Sequence, residues 1–330
     1  MYELRPAAGL PPPIWQRSTR SSQKKTGVFC QTLGIVDIPN DSSTHKEAAI
    51  RGGGIIFPLA LLGWGILNSF AFPYLIAGFL LSAMVSFIDD FRGLFFYIRL
   101  PVHFLSATLL LMEVDYFNLS WYIWLPTIII LVGFINAFNF MDGINGITGL
   151  YSLLLTLFLF TTASLLFLHN WHTPLIILAI SLLIFSFFNF RPHARCFAGD
   201  VGAISLGLWF GYYLSVLFKE HPSIIWLLPV AVYGVDSVMT ILYRLLKGEN
   251  IFHPHHHHLY QNLSGDWGWP HLQVASIYVF LQLIIDIIAI WLLITNRPSW
   301  PYVISAYLLL IGVYIAAKWQ FIRKFPAKSY

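Results

Sequence analysis

Charge is what this sequence has least of. Lys, Arg, Asp and Glu together supply 10% of its 330 residues, against the roughly 25% usual in a soluble globular domain. Apolar residues supply 57%, and the mean hydropathy is +0.69. That balance excludes a soluble enzyme and points to a chain that crosses a membrane many times. Cysteine is almost missing as well. Cys30 and Cys196 have no pairing logic and no metal-ligand spacing, which excludes a disulfide framework and a thiolate metal site. The sequence also shows no apolar core of a signal peptide, no repeat of 20 to 50 residues and no second domain. Its pI near 9.0 is not taken as a sign of nucleic-acid binding, because basic residues in a membrane protein report first on orientation.

What is present falls into two parts. Residues 1–34 carry Pro11, Pro12 and Pro13 and then a basic, hydroxyl-rich run from Arg17 to Lys25, and read as a disordered cytoplasmic tail attracted to anionic lipid. Residues 35–330 read as one membrane-embedded domain. Apolar segments of spanning length lie at about 55–70, 72–88, 95–114, 121–139, 147–168, 174–190, 201–218, 224–245, 273–295 and 301–318. The expected fold is therefore all-α, a polytopic bundle of about ten transmembrane helices with both termini on one side. With the N-terminus in the cytoplasm, 17 of the 19 Lys and Arg fall inside, and only Lys219 and Arg297 fall outside. Such an asymmetry supports both the helix count and its direction.

All the unusual polar loops then open to the cytoplasm: Gly52–Gly54, Asp89–Gly93, Asn136–Gly149, Asn189–Gly202 and Lys247–Trp269. Polar backbone at a membrane surface is tolerated where it is wet or buried in protein, so these loops are expected to line a site. In Asn136–Gly149 three glycines lead into the next helix, an arrangement that lets backbone N–H groups approach an anion. Asp89 and Asp90 are adjacent at a helix C-terminus, where carboxylates repel each other and the dipole is negative, so they call for a cation. Asp200 opens a helix within F-A-G-D-V-G-A. Hard oxygen donors without cysteine suggest Mg²⁺ or Mn²⁺, bridging to a substrate phosphate. The run His253-Pro254-His255-His256-His257-His258 offers imidazoles suited to Zn²⁺, but its place among acidic and glycine-rich loops favours contacts to a diphosphate. Asp286, mid-helix beside Gln282, reads as a lone acid hydrogen-bonded within the bundle.

Taken in order, V-D-I-P-N at Val36–Asn40, R-G-G-G at Arg51–Gly54, I-D-D-F-R at Ile88–Arg92, N-F-M-D-G-I-N-G from Asn139, F-A-G-D-V-G from Phe197 and H-L-Y-Q at His258–Gln261 resemble the polyprenyl-phosphate N-acetylhexosamine-1-phosphate transferases of glycosyltransferase family 4. The spacing His255 to His258-Leu-Tyr-Gln is most similar to the branch that initiates O-antigen and other surface polysaccharides. The resemblance implies transfer of a sugar 1-phosphate from a UDP-N-acetylhexosamine to undecaprenyl phosphate in the inner leaflet of a bacterial cytoplasmic membrane, with release of UMP. It implies Mg²⁺, with Mn²⁺ as a substitute, and admits a homodimer. Carried over by position, Asp89, Asp90, Asp142, His255 and His258 form the catalytic set. Arg51, Asn139, Asn145, Asn189 and Phe197 form the substrate-binding set, with Phe197 the ring that stacks on uracil, and Asp200 is the metal ligand. Direct attack by the lipid phosphate and a covalent intermediate both stay open.

The sequence departs from the family pattern at three places. Asn145 stands where an acid is usual, His193 is an extra residue between Pro192 and Ala194, and residues 1–34 replace an additional helix. If the acid at 145 receives a hydrogen bond from the uracil ring, Asn145→Asp is expected to tighten nucleotide binding by about 1 to 2 kcal/mol. A transporter is the rival from another class, but it would carry its acids mid-membrane on broken helices. An impaired member of the same fold is the second alternative.

Overall fold

The computed structural model describes residues 36–37, 49–250 and 256–325; the expected tail 1–34 and His255 lie outside the described residues. Among the described residues, ten helices of 12 to 25 residues stand where the apolar runs place them. They are α1 (Ile56–Leu67), α2 (Pro73–Arg92), α3 (Phe96–Glu113), α4 (Trp121–Phe140), α5 (Ile147–Leu165), α6 (His172–Asn189), α7 (Gly199–Glu220), α8 (Ala231–Leu246), α9 (His271–Thr295) and α10 (Trp300–Lys324). Beside them is one antiparallel pair of two-residue strands, β1 (Val36–Asp37) with β2 (Ala49–Ile50). Eight segments are long and apolar enough to cross a membrane. The remaining two are α1, which is short, and α3, whose hydropathy is lowered by Arg99, His103 and Glu113.

Helix α7 is the most enclosed span and the axis of the bundle, packed by α2 and α4. Its small residues permit that approach. A methyl added at Gly202 would stand 2.7 Å from the Cα of Gly54, and one added at Gly54 would meet only backbone atoms of Ala198 and Gly202. The R-G-G-G strip therefore lies directly on the start of α7. It is fastened there by Gly53 N to Phe197 O at 2.8 Å, Gly54 N to Ala198 O at 3.1 Å and Phe197 N to Ile50 O at 2.9 Å.

The span before the histidine loop is broken. Ile224–Val230 is a 3₁₀ helix containing Pro229, and regular α8 begins only at Ala231. A proline inside a helix strips backbone partners, which must be replaced when no water is present. Gln282 of α9 braces the break, donating from Nε2 at 2.8 Å to the Leu228 carbonyl, which also accepts the Ala231 N–H, and accepting the Val232 N–H on Oε1 at 3.1 Å. The same amide accepts from Tyr151 Oη at 2.7 Å and donates to Asp286 Oδ1 at 2.8 Å. Asp286 is thus a hydrogen-bonded acid within the bundle, as expected from sequence.

Candidate active site

The ends of α2 and α7 and the start of α3 bring the acids together. Helix α2 stops at Gly93 with φ 61°, a left-handed C-cap whose N–H bonds the Asp89 carbonyl at 2.9 Å. The chain then turns through Leu94, whose N–H donates to Asp89 Oδ1, and enters α3. One turn into α3, Arg99 Nη1 donates to Asp89 Oδ2 at 2.5 Å and to Asp200 Oδ2 at 2.9 Å. The carboxyl groups of Asp89 and Asp200 thus meet on the same guanidinium nitrogen. Two like charges are held side by side by one guanidinium, and the Asp200 side chain keeps 29% of its surface exposed.

Asp90 does something different from Asp89. Its carboxylate accepts the N–H groups of Asp200 at 2.8 Å and Val201 at 3.1 Å, so it caps the N-terminus of α7. Gly199, at φ +68°, leaves room for it, since a methyl there would stand 2.7 Å from Asp90 Oδ2. Asp90 therefore sets where Asp200 sits, and its oxygens are committed to backbone. Arg51 extends over the same junction, Nη1 donating to the Asp90 carbonyl at 3.4 Å.

Asp142 lies half-buried in the loop between α4 and α5, accepting from Thr148 Oγ1 at 2.5 Å. Burial pushes its pKa from 3.8 up to about 6, opposed by the Thr148 hydroxyl. The folded state thus holds this proton more tightly than the unfolded chain. Stability is highest below about pH 4 and falls as pH rises through about 6, for a cost near neutrality of about 3 kcal/mol. Asp142→Asn should raise the melting temperature at pH 7 and flatten its dependence between pH 4 and 6. An unchanged pH dependence of melting would show that Asp142 is not the titrating group. Asn139, in the last turn of α4, is half-buried, and its carbonyl accepts the Asp142 N–H at 3.2 Å.

Two residues assigned to substrate from sequence are loop clamps. Asn145 is 3% exposed, and its Nδ2 donates to the carbonyls of Arg191 at 3.0 Å and Pro192 at 3.1 Å. Asn189 is 4% exposed, accepts the Gly146 N–H on Oδ1 at 2.7 Å and donates to the Cys196 carbonyl at 2.8 Å. Both ends of the Asn189 amide and the Nδ2 of Asn145 tie the loop after α4 to the loop after α6, while the buried Oδ1 of Asn145 takes no part in the clamp. An acid at 145 would press a carboxylate against two carbonyl oxygens with no hydrogen to offer. The expectation of tighter nucleotide binding is thereby reversed: Asn145→Asp should destabilise the protein by about 3 kcal/mol and raise KM. Thermal melting beside UMP-release kinetics would decide it, and a lower KM would restore the reading made from sequence.

His258 is likewise repositioned. It is 1% exposed, with Nδ1 3.3 Å from Asp236 Oδ1 and its ring stacked on Tyr260 at 5.8 Å, so one ring nitrogen is held by the bundle interior. Phe197 is half-buried beside the R-G-G-G strip. Arg99, Asp236 and Tyr260 were not singled out from sequence. Arg99 had a signal, a cation ten residues after Asp89, but it was counted only toward orientation.

Among the described residues no group of three or more His, Cys, Asp or Glu is disposed to hold a metal. The Asp89 and Asp200 carboxyls, which meet on one guanidinium nitrogen, suit a hard cation that takes its remaining ligands from water and phosphate. The family described as Glycosyl transferase family 4 matches residues 72–218. The phospho-N-acetylmuramoyl-pentapeptide-transferase of Thermotoga neapolitana is 30% identical over 274 residues, covering 76% of this chain and 86% of that protein. The probable undecaprenyl-phosphate N-acetylglucosaminyl 1-phosphate transferase of Bacillus subtilis is 24% identical over 316 residues, covering 87% and 84%. With that similarity running through α2 to α7 and the acids they assemble, the chain belongs to glycosyl transferase family 4 and is a membrane-embedded phosphotransferase.

Proposed function

We propose that this protein transfers N-acetylhexosamine 1-phosphate from a UDP-N-acetylhexosamine to undecaprenyl phosphate, releasing UMP, and so starts a lipid-linked surface glycan. The observation that carries the reading is the Asp89–Arg99–Asp200 constellation at the end of a membrane helix, where a lipid phosphate lying at the bilayer surface and a water-soluble diphosphate can both reach. An oxygen of the lipid phosphate attacks the phosphorus that bears the sugar. That new P–O bond forms as the bond from the same phosphorus to the bridging oxygen breaks, and the electron pair leaves with UMP. Arg99 supplies positive charge beside the reacting phosphates, and Arg51 adds a second cation at the junction. Asp89, held by Leu94 N–H and Arg99, is the carboxylate positioned to orient the incoming lipid phosphate. Asp90 keeps Asp200 in place from behind. Asp89 and Asp200 would hold Mg²⁺, which when bound neutralises charge on the diphosphate as the phosphoryl group moves. Asn139, Asp142 and Phe197 border the position assigned to the nucleotide.

The membrane is the bacterial inner membrane and the site faces the cytoplasm, a reading supported by the 17-to-2 division of basic residues. The test is UMP release from a panel of UDP-sugars with undecaprenyl phosphate and Mg²⁺. UDP-N-acetylhexosamines should be turned over and UDP-hexoses should not. A folded protein that releases no UMP from any donor would rule the activity out. Labelling of Lys247→Cys by an impermeant reagent in intact cells would invert the orientation.

A further inference from the structure

The acid that gathers most donors in the bundle is Asp236, on α8, 2% exposed. Its Oδ1 accepts from Leu259 N at 3.0 Å, Thr240 Oγ1 at 3.2 Å and His258 Nδ1 at 3.3 Å; its Oδ2 accepts from Tyr278 Oη at 2.6 Å and Tyr260 N at 3.3 Å. A buried carboxylate is tolerated when its lone pairs are filled in this way, and each such charge-assisted bond is stronger than a neutral one. Two of the five donors are consecutive backbone N–H groups at the start of the turn Leu259–Gln261. The acid therefore fixes the position of that turn relative to α8, and Tyr278 fixes both against α9.

What the turn carries is Tyr260, fully buried. Its hydroxyl donates to the Phe140 carbonyl at 2.7 Å, at the end of α4. Its ring lies so close beneath Gly143 that a methyl added there would collide with the Tyr260 hydroxyl. The stretch between those two contacts contains Asp142. A continuous path of contacts thus runs from a carboxylate in the bundle interior to the loop beside the acidic site.

We propose that Asp236 is a positioning residue for the Asn139–Gly143 loop, acting through the Leu259–Gln261 turn and Tyr260. The inference rests on the reading of that loop as part of the nucleotide site, and one arm of its test does not depend on that reading. Asp236→Asn keeps the size of the side chain and removes the charge; Tyr260→Phe keeps the ring and removes only the bond to Phe140. In the full-length protein in detergent, amide hydrogen exchange across 139–143 should rise roughly tenfold in either variant, and no further in the double variant, as expected for one lost path. Thr240→Val removes another donor of Asp236 that does not lead to Tyr260, and should leave exchange across 139–143 unchanged. In kinetics, KM for the UDP-sugar should rise about tenfold with kcat within about threefold in Asp236→Asn and Tyr260→Phe.

Wild-type exchange in either single variant, additive effects in the double variant, or raised exchange with an unchanged KM would each overturn the proposal. An equal rise in Thr240→Val would reduce Asp236 to a general stabiliser and overturn it too. If the wild-type protein itself releases no UMP, the functional reading falls, and the exchange measurements still decide whether Asp236 holds the loop.

Discussion

Asp200→Asn is expected to lower transfer by about a thousandfold or more while raising the melting temperature in metal-free buffer. The two effects have one cause. Asp200 and Asp89 share one guanidinium nitrogen of Arg99, with Asp90 capping the same helix start. Negative charge is concentrated there beyond what the described cations balance, which costs stability and gains affinity for a divalent ion and its phosphate ligand. Asparagine matches the shape, keeps an oxygen for Arg99 and relieves the repulsion. It also removes a charged oxygen donor from a site with few of them, and the electrostatic contribution of such an ion to phosphoryl transfer is several kcal/mol. Melting with and without Mg²⁺, beside UMP release over a Mg²⁺ titration, separates the outcomes. Near-normal turnover with an ordinary Mg²⁺ dependence would remove Asp200 from the metal site.

Gly54→Ala is expected to cost about 3 kcal/mol of stability and about a hundredfold in transfer, although position 54 carries no side chain and touches no substrate. A methyl there meets the backbone of Ala198 and Gly202, not the end of a flexible side chain, so the strip and the start of α7 must separate. Separation moves Asp200 and Asp90 relative to Asp89, and a displacement of about 1 Å in a catalytic constellation costs about a hundredfold. Gly63→Ala is the control, because a methyl at Gly63 meets nothing within 4 Å. It should melt and turn over as the wild type does. Equal behaviour of the two variants would mean that the Gly54–Gly202 approach does not set the site.

The helices were legible because hydropathy is a sum over some twenty residues, and single polar side chains barely change it. The ten positions expected from the apolar runs match α1 to α10, including the break before the histidine loop only as a continuous span. The same averaging hid Arg99 and Asp236, charges inside largely apolar helices whose importance depends on what another helix presents to them. Asp89, Asp142 and Asp200 were legible because they sit in glycine-rich loops at helix ends, where polar groups need a reason. Asn145 and Asn189 sit in the same loops and received the same reading, yet the Nδ2 of the first and both ends of the second are spent on backbone carbonyls and an N–H group. A polar loop sequence does not say which of its side chains serve the ligand and which serve the loop. Asp90 makes the point within one dipeptide: it and Asp89 look alike in sequence, and only the position of α7 separates the carboxylate that caps it from the one that meets Arg99.

The pairing of Gln282 with the broken span has a consequence for how the chain enters the bilayer. Until α9 arrives, the Val232 N–H lacks the Gln282 carbonyl oxygen that accepts it, and a bare peptide group in hydrocarbon is expensive. The segment from Ile224 to Leu246 is therefore an unfinished helix when it leaves the ribosome, waiting on a residue 50 positions downstream of Val232. Entry of this span together with α9, as one hairpin, would spare the Val232 N–H that exposure.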